Sequence, residues 1–305
     1  MTNTSIPLVS IHCTTYNHAP YIRQCLDSFL MQKTTFPIEV LIHDDASTDG
    51  TADIIKEYEN KYPDIIKPIY QTENQYSKGV KVSATFNYPR AKGKYIAICE
   101  GDDYWTDPLK LQKQVDFLES HPDYVMCSHN FQYYYEDSKS FKNFYNINKD
   151  FFYDLEYYIS RNLWVTQPLT LMFRRSALEL EKYIKYQNAK DVTLCYHILK
   201  KGKGVLLNDL MGIYRVHAGG IWQGANRIMR IKAELETAVS IYYVDKDITS
   251  AILTKNNMLQ FGYYGISFLR KNTKLYLKCI YAIYCKLGLK CALSTMNKTI
   301  NYFAR

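Results

Sequence analysis

Blocks of apolar residues separated by short polar turns mark the first 120 positions. Pro7-Leu-Val-Ser-Ile-His-Cys-Thr-Thr15 reads as a buried strand. Tyr21 to Met31 follows, with Ile22, Leu26, Phe29 and Leu30 at helical spacing. Val40 to His43 predicts a second strand. Ser47 or Thr48 can cap the helix that runs to about Tyr62. Ile65 to Tyr70 predicts a third strand, Lys81 to Ala91 a helix, and Tyr95 to Cys99 a fourth strand. Pro108 suits the first turn of a helix ending near His121. Strands alternating with helices imply parallel pairing through right-handed crossovers. Beyond Tyr124 the texture changes. Tyrosine-rich, strand-like pieces lie at 124–135 and 168–174, and Asp191 to Lys201 reads as a helix with Gly202 as its C-cap. Leu210 to Val216 is a last strand, stopped by Gly219-Gly220, and from Gly224 onward the pattern is helical. The expected organisation is an α/β domain over residues 1–223 and a basic helical region over 224–305.

Two of these strands end in acids. Tyr95-Ile-Ala-Ile-Cys-Glu-Gly-Asp-Asp-Tyr-Trp105 stops in Glu100, Asp102 and Asp103, and Glu39-Val-Leu-Ile-His-Asp-Asp45 stops in Asp44 and Asp45. Acids packed this closely repel one another and resist burial, so they need compensation. A divalent cation is the natural candidate, because hard cations take carboxylate oxygens. Ligands of open α/β sheets bind beyond the carboxyl ends of the strands. Two strands delivering acids to that edge suggest one metal-dependent site for a phosphorylated ligand. Each feature also has a purely structural reading: the acids after both strands could cap the helices that follow.

Composition narrows this picture. At 305 residues, 47% hydrophobic and 22% charged, the chain is globular. Its first residues lack the basic and apolar segments of a secretory signal. Eight cysteines without a Cys-x-x-Cys pair read as reduced core residues of a cytoplasmic protein. The net charge of +8 is concentrated at the C-terminus. From Ile248 to Arg305 there are nine Lys or Arg and no acid, which leaves 29 bases against 30 acids elsewhere. Such a distribution argues against nucleic-acid binding by the main body.

The motifs resemble those of bacterial family-2 inverting glycosyltransferases of GT-A fold. Five carry the likeness in the family's order over residues 7–222: Cys13-Thr-Thr-Tyr-Asn17, Asp44-Asp-Ala-Ser-Thr-Asp-Gly50, Glu100-Gly-Asp-Asp103, Lys190-Asp-Val-Thr-Leu194, and Tyr214-Arg-Val-His-Ala-Gly-Gly-Ile-Trp222. Family members of this kind build capsule or lipopolysaccharide chains. The resemblance implies that Glu100 and Asp102 hold Mn²⁺ or Mg²⁺ against the diphosphate of a nucleotide sugar. Here Glu stands where the family's first acid is Asp. It implies that Asp44 or Asp45, with Asp45 preferred, accepts from uracil N3–H, that Tyr16 stacks on the base, and that Thr14 touches the nucleotide. Asp191 would be the catalytic base, His217 a metal or diphosphate ligand, and Arg215 a phosphate partner. Gly219 and Gly220 would hinge a lid bearing Trp222. Asp103, Trp164, Thr166 and Gln167 would shape the donor and acceptor pocket, with Asn87 and Lys78 as phosphate or ribose contacts. The acceptor would be a glycan or a lipid-linked sugar.

Other classes remain in view. A sugar nucleotidyltransferase normally needs a Gly-rich phosphate loop after the first strand, and Cys13-Thr-Thr-Tyr-Asn-His-Ala-Pro20 has no glycine. The Gly-x4-Gly-Lys-[Ser/Thr] pattern of ATPases is absent. A non-catalytic sugar-nucleotide-binding protein would be indifferent to loss of Asp191. Lys274, Lys278, Lys286 and Lys290 fall within about 160° of a helical wheel, among apolar residues from Leu275 to Leu287. Two readings stay open: an amphipathic helix on an anionic membrane surface, or a helix packed on the enzyme with solvated lysines.

Overall fold

In the computed structural model, strand β1 (Val9–Thr15) lies between β2 (Ile38–Asp44) and β4 (Tyr95–Ile98), parallel to both, and β3 (Ile66–Tyr70) extends the sheet beyond β2. All but one residue of β1 is buried, as a central strand covered on both faces must be. Helices α1 (Ile22–Leu30) and α2 (Thr51–Lys61) make the crossovers. One face of the sheet packs Val9, Ile11, Cys13, Val40, Ile42 and Ala97 against Leu26 and Phe29 of α1.

The rest of the sheet is mixed. Short β5 (Tyr104–Trp105) follows the acidic turn, α3 (Lys110–Ser120) leads into β6 (Tyr124–Tyr135), and β9 (Met172–Arg174) inserts antiparallel between β4 and β6. Strand β10 (Lys203–Val216) pairs parallel to β6 and antiparallel to β5. Strands β7 (Ser140–Asn143) and β8 (Phe151–Tyr153) pair with β6 and β10. The order is β3-β2-β1-β4-β9-β6-β10-β5. The α/β architecture expected from the sequence is present, with a helical C-terminal region.

The structure describes residues 6–160, 166–187, 190–220, 227–261 and 272–303. They fall into two compact units. The sheet unit takes Met1–Asp154, Thr166–Leu180 and His197–Ala218, and the helical unit takes Leu155–Val165, Glu181–Tyr196 and Gly219–Arg305. The last crossing falls between Ala218 and Gly219, and the two earlier segments carry no compositional mark. The helical unit draws on α4 (Leu155–Ser160), α5 (Leu180–Tyr183), α6 (Asp191–Leu199), α7 (Arg227–Asp245), α8 (Ile248–Phe261) and α9 (Thr273–Phe303). Its core joins Leu235, Val239, Met258, Tyr276, Cys279 and Ile283. Helix α9 breaks at Gly288, whose φ of 82° and ψ of 168° only glycine adopts readily. All eight cysteines are free, six of them buried.

Three local expectations are corrected. The helix expected over Lys81 to Ala91 is instead a π turn at Ser83–Asn87 followed by a 3-10 turn at Tyr88–Arg90. Pro89 supplies no N–H, so the α pattern cannot continue through it. Helix α2 starts at Thr51 behind Gly50 in the left-handed region, and its cap comes from Asp49 Oδ1, which accepts from Thr51 N–H at 3.0 Å, not from Ser47 or Thr48. Gly202 is required for close approach: a Cβ there would meet Asp123 O at 2.6 Å, and its φ is not positive.

Beneath the sheet edge, Asn87 is fully buried. Its Nδ2 donates to Leu41 O at 3.0 Å and reaches His12 Nδ1 at 2.8 Å, and its Oδ1 accepts from Arg90 Nη2 at 2.7 Å. Burial drives His12 down to about 3, so the ring is neutral and can take that hydrogen bond. Asn87 therefore ties β1 to β2 from within and is not the phosphate or ribose contact expected of it. Replacing Asn87 with Ala strands these partners and should cost about 1–3 kcal/mol. Urea denaturation of Asn87→Ala, with an unchanged m-value, checks this.

Candidate active site

Parallel strands β1, β2 and β4 end side by side, so the segments that follow them share one edge. The turn after β4 is held tightly: Gly101 N–H donates to Thr14 O at 2.9 Å and Asp103 N–H to Glu100 O at 3.1 Å. Only glycine fits the second place in this turn, because a Cβ would lie 2.7 Å from Thr15 Oγ1. The loops after β1 and β2 are stitched together. Asn17 Oδ1 accepts from Thr48 N–H at 2.8 Å, Ser47 Oγ accepts from Asn17 N–H at 2.8 Å, and Thr51 Oγ1 accepts from His18 N–H at 2.8 Å.

Glu100, Asp102 and Asp103 each bring a carboxylate oxygen to within 4.8 Å of the others. Asp103 is buried: its Oδ1 accepts from Arg215 N–H at 2.8 Å, while its Oδ2 has no hydrogen-bond partner among the described residues. Burial, then the neighbouring Asp102 charge, drives the Asp103 carboxyl well above the usual range. Asp102 behaves oppositely. Burial alone would raise it, but a hydrogen bond from His217, with the His18 and His217 charges, holds it below the usual range. His217 Nε2 lies 3.1 Å from Asp102 Oδ2 and His18 Nε2 3.7 Å from the same oxygen. Burial lowers His18, and the hydrogen bond from His217 is the first of the influences that lower Asp102. An all-oxygen trio with one orphaned buried oxygen fits Mn²⁺ or Mg²⁺. Asp103 joins the acids expected to hold the cation, and His217 reaches them through Asp102.

Arg215 serves the turn itself. Its Nε donates to Asp102 O at 2.8 Å, Nη1 to Glu136 Oε1 at 2.5 Å and Nη2 to Gln24 Oε1 at 2.6 Å. The guanidinium carbon sits 4.8 Å from the Tyr21 ring centroid and 5.1 Å from that of Tyr104. With each guanidinium nitrogen engaged inside the protein, Arg215 holds the acidic turn in place.

The second acidic pair divides its work. Asp45 Oδ1 accepts from Gln75 N–H at 2.7 Å and Oδ2 from Tyr76 N–H at 3.0 Å, and His43 Nε2 stands 3.3 Å from Oδ1. Both oxygens thus clamp the turn at Tyr76–Lys78. Asp44 Oδ2 accepts from Ser47 N–H at 3.2 Å, but its buried Oδ1 accepts nothing among the described residues. Burial raises the Asp44 carboxyl. Asp44 thus has one oxygen with no partner among the described residues, whereas each Asp45 oxygen has one. Tyr16 is 45% exposed, leaving its ring open to a base. Thr14 is half-buried beside it.

The remaining candidates are placed as follows. Lys78 pairs with Glu73 on the surface. Gln167 and Thr166 are buried, and their neighbour Thr170 donates its hydroxyl to Gln167 O at 2.8 Å. Asp191 opens α6, half-buried, and burial raises its carboxyl. Trp164 and Trp222 lie outside the described residues. The sequence reading missed His18, although it sits within the motif after β1, where any imidazole would share an edge with the acids of β4.

A family model for glycosyl transferase family 2 matches residues 10–180. The chain belongs to this family. An uncharacterized protein of Mycobacterium tuberculosis is 36% identical over 228 residues, 71% of this chain and 61% of its own length, so the chain spans less than two thirds of that relative. The UDP-Glc:α-D-GlcNAc-diphosphoundecaprenol β-1,3-glucosyltransferase WfaP of Escherichia coli is 30% identical over 243 residues, 77% of this chain and 86% of WfaP. The fold is shared with the S. aureus protein TarS (residues 1–349) in complex with UDP, at a TM-score of 0.66 and 17% identity over 97% of this chain and 88% of that one.

The role of Arg215 can be checked directly. Lysine cannot reproduce its three-way fork, so Arg215→Lys should weaken Mn²⁺ binding by about 10-fold, as loss of a group that orients ligands does. Titration calorimetry with Mn²⁺ measures it.

Proposed function

We propose that this family-2 member is a metal-dependent inverting glycosyltransferase that moves a sugar from a UDP-sugar to a glycan or lipid-linked acceptor in surface-polysaccharide synthesis. The observation that carries the reading is the shared edge: the Glu100–Asp103 acids, with His217 against Asp102, and the free Asp44 Oδ1 belong to loops stitched to one another. Diphosphate and base of one nucleotide would lie across that edge. A bound cation would supply Lewis-acid neutralisation of the departing diphosphate. Glu100, Asp102 and Asp103 would hold it, with His217 beside Asp102.

Asp44 Oδ1 would accept the N3–H of uracil, with Tyr16 stacked on the ring and Thr14 alongside. Cytosine offers an acceptor at N3 and is disfavoured. Asp191 would take the proton from the acceptor hydroxyl as its oxygen forms the new bond to the anomeric carbon. The bond from that carbon to the diphosphate breaks from the opposite face, and UDP leaves. A raised carboxyl suits this work, since a base nearer neutrality accepts a proton more readily. WfaP, by its name, uses UDP-glucose and a diphosphoundecaprenol-linked sugar. A lipid-linked acceptor here would bring the enzyme to the inner face of the cell membrane as a peripheral protein. No helix among the described residues is long and apolar enough to cross a membrane.

Asp44→Asn should weaken UDP binding by about 10-fold or more, the loss expected of a charged hydrogen bond, and narrow the gap between UDP and CDP; calorimetry with both nucleotides tests it. Asp191→Asn should lower kcat by about 10²–10⁴ while UDP affinity holds. In the parent enzyme the base works only above its raised pKa, so the acid limb of kcat/KM should stand above the ordinary carboxylate range. Full turnover by Asp191→Asn would point to the non-catalytic reading.

A further inference from the structure

Helix α9 has more apolar surface than its core uses. Tyr276, Cys279, Ala282, Ile283 and Ala292 are buried within the helical unit. On the other side Leu277, Tyr281, Tyr284, Leu289 and Leu293 are each 48–59% exposed. The first three recur at helical spacing, and the last two continue past the break at Gly288. Exposed Lys274, Lys278, Lys286, Lys290 and Lys298 lie along the same helix, and no acid occurs from Ile248 to Arg305. Leucine and tyrosine mixed with lysine alone is the pattern of a helix lying in a lipid interface.

The same helix borders a cleft of about 680 Å³. Lys185, Lys232, Lys274 and Lys278 line it, with Glu236 and Tyr243. Glu236 stands 3.8 Å from Lys232, which leaves three ammonium groups in excess. Lys278 Nζ lies 5.7 Å from the Tyr243 ring centroid. Lys274 and Lys278 thus face both the cleft and the edge of the apolar stripe, and a ligand joining phosphate to acyl chains satisfies both features at once.

We propose that the helical unit docks on an anionic bilayer through Leu277, Tyr281, Tyr284, Leu289 and Leu293, with a phospholipid phosphate held in the lysine-lined cleft. This rests on the membrane contact proposed above and names its face. A second copy of the chain fits less well. Paired stripes would bring two sets of five lysines together, and five side chains are few for a stable interface, which buries about 1,200–2,000 Å².

Co-sedimentation of the full chain with vesicles of phosphatidylcholine, alone or with phosphatidylglycerol, tests the proposal. Binding should require phosphatidylglycerol and weaken as salt rises. The triple variant Leu277→Ser/Tyr281→Ser/Leu289→Ser and the double variant Lys274→Gln/Lys278→Gln should each bind about 10-fold less or weaker still. Unchanged thermal melting would show that both still fold. Failure of the parent protein to bind anionic vesicles would overturn the membrane contact itself. Binding that survives in both variants would leave that contact standing and overturn the assigned face. Concentration-dependent dimerisation, lost in the triple variant and without vesicle binding, would assign the stripe to a second copy. Loss of calorimetric inorganic-phosphate binding in the double variant, with its vesicle binding intact, would assign the cleft to free phosphate.

Discussion

Three carboxylates must coexist at the end of β4, and much of the sheet unit is arranged around that requirement. Close acids disfavour one another's ionised forms unless opposite charge or donors are supplied. Here the supply comes from distant parts of the chain. His217 and His18 flank Asp102, Arg215 N–H meets Asp103, and the Arg215 side chain ties the turn to Gln24 and Glu136. Compensation is nevertheless incomplete. Asp103 Oδ2 is buried without a partner among the described residues, and its carboxyl is raised. A turn built this way favours a bound positive charge over neutral solvent.

The remaining geometry explains how a nucleotide could meet that charge. Parallel strands end together, so the loops after β1, β2 and β4 converge without any long connection. Asn17, Ser47 and Thr51 then cross-link the first two. Asp45 fixes a third stretch, at Gln75 and Tyr76. Pre-organisation of this kind lowers the ordering cost of binding. On the proposed reading, this edge would need little rearrangement to receive a rigid base and a charged tail.

Strand ends and their acids were legible in the sequence because they obey local rules: apolar runs, turn residues and charge density. The four parallel strands and the C-terminal helices came through for the same reason. What stayed hidden depends on partners far apart in the chain. Arg215 reads as a free cation until Gln24, Glu136 and Asp102 O surround it. Asn87 reads as a phosphate or ribose contact on an expected helix until the π turn carries it under β1 and β2. Asp44 and Asp45 are adjacent and chemically identical. Only the backbone amides of Gln75 and Tyr76, which occupy Asp45, tell them apart. His18 was overlooked because its motif drew attention to Tyr16, and its nearness to Asp102 arises from a crossing between loops.

The central claim is that this edge binds a UDP-sugar through a divalent cation. Release of nucleoside diphosphate from a panel of UDP-, GDP- and dTDP-sugars, measured with Mn²⁺ and with EDTA, tests it most directly. The account predicts slow, metal-dependent release of UDP from one sugar and none in EDTA. Absence of both hydrolysis and binding with every nucleotide, or turnover indifferent to EDTA, would contradict it.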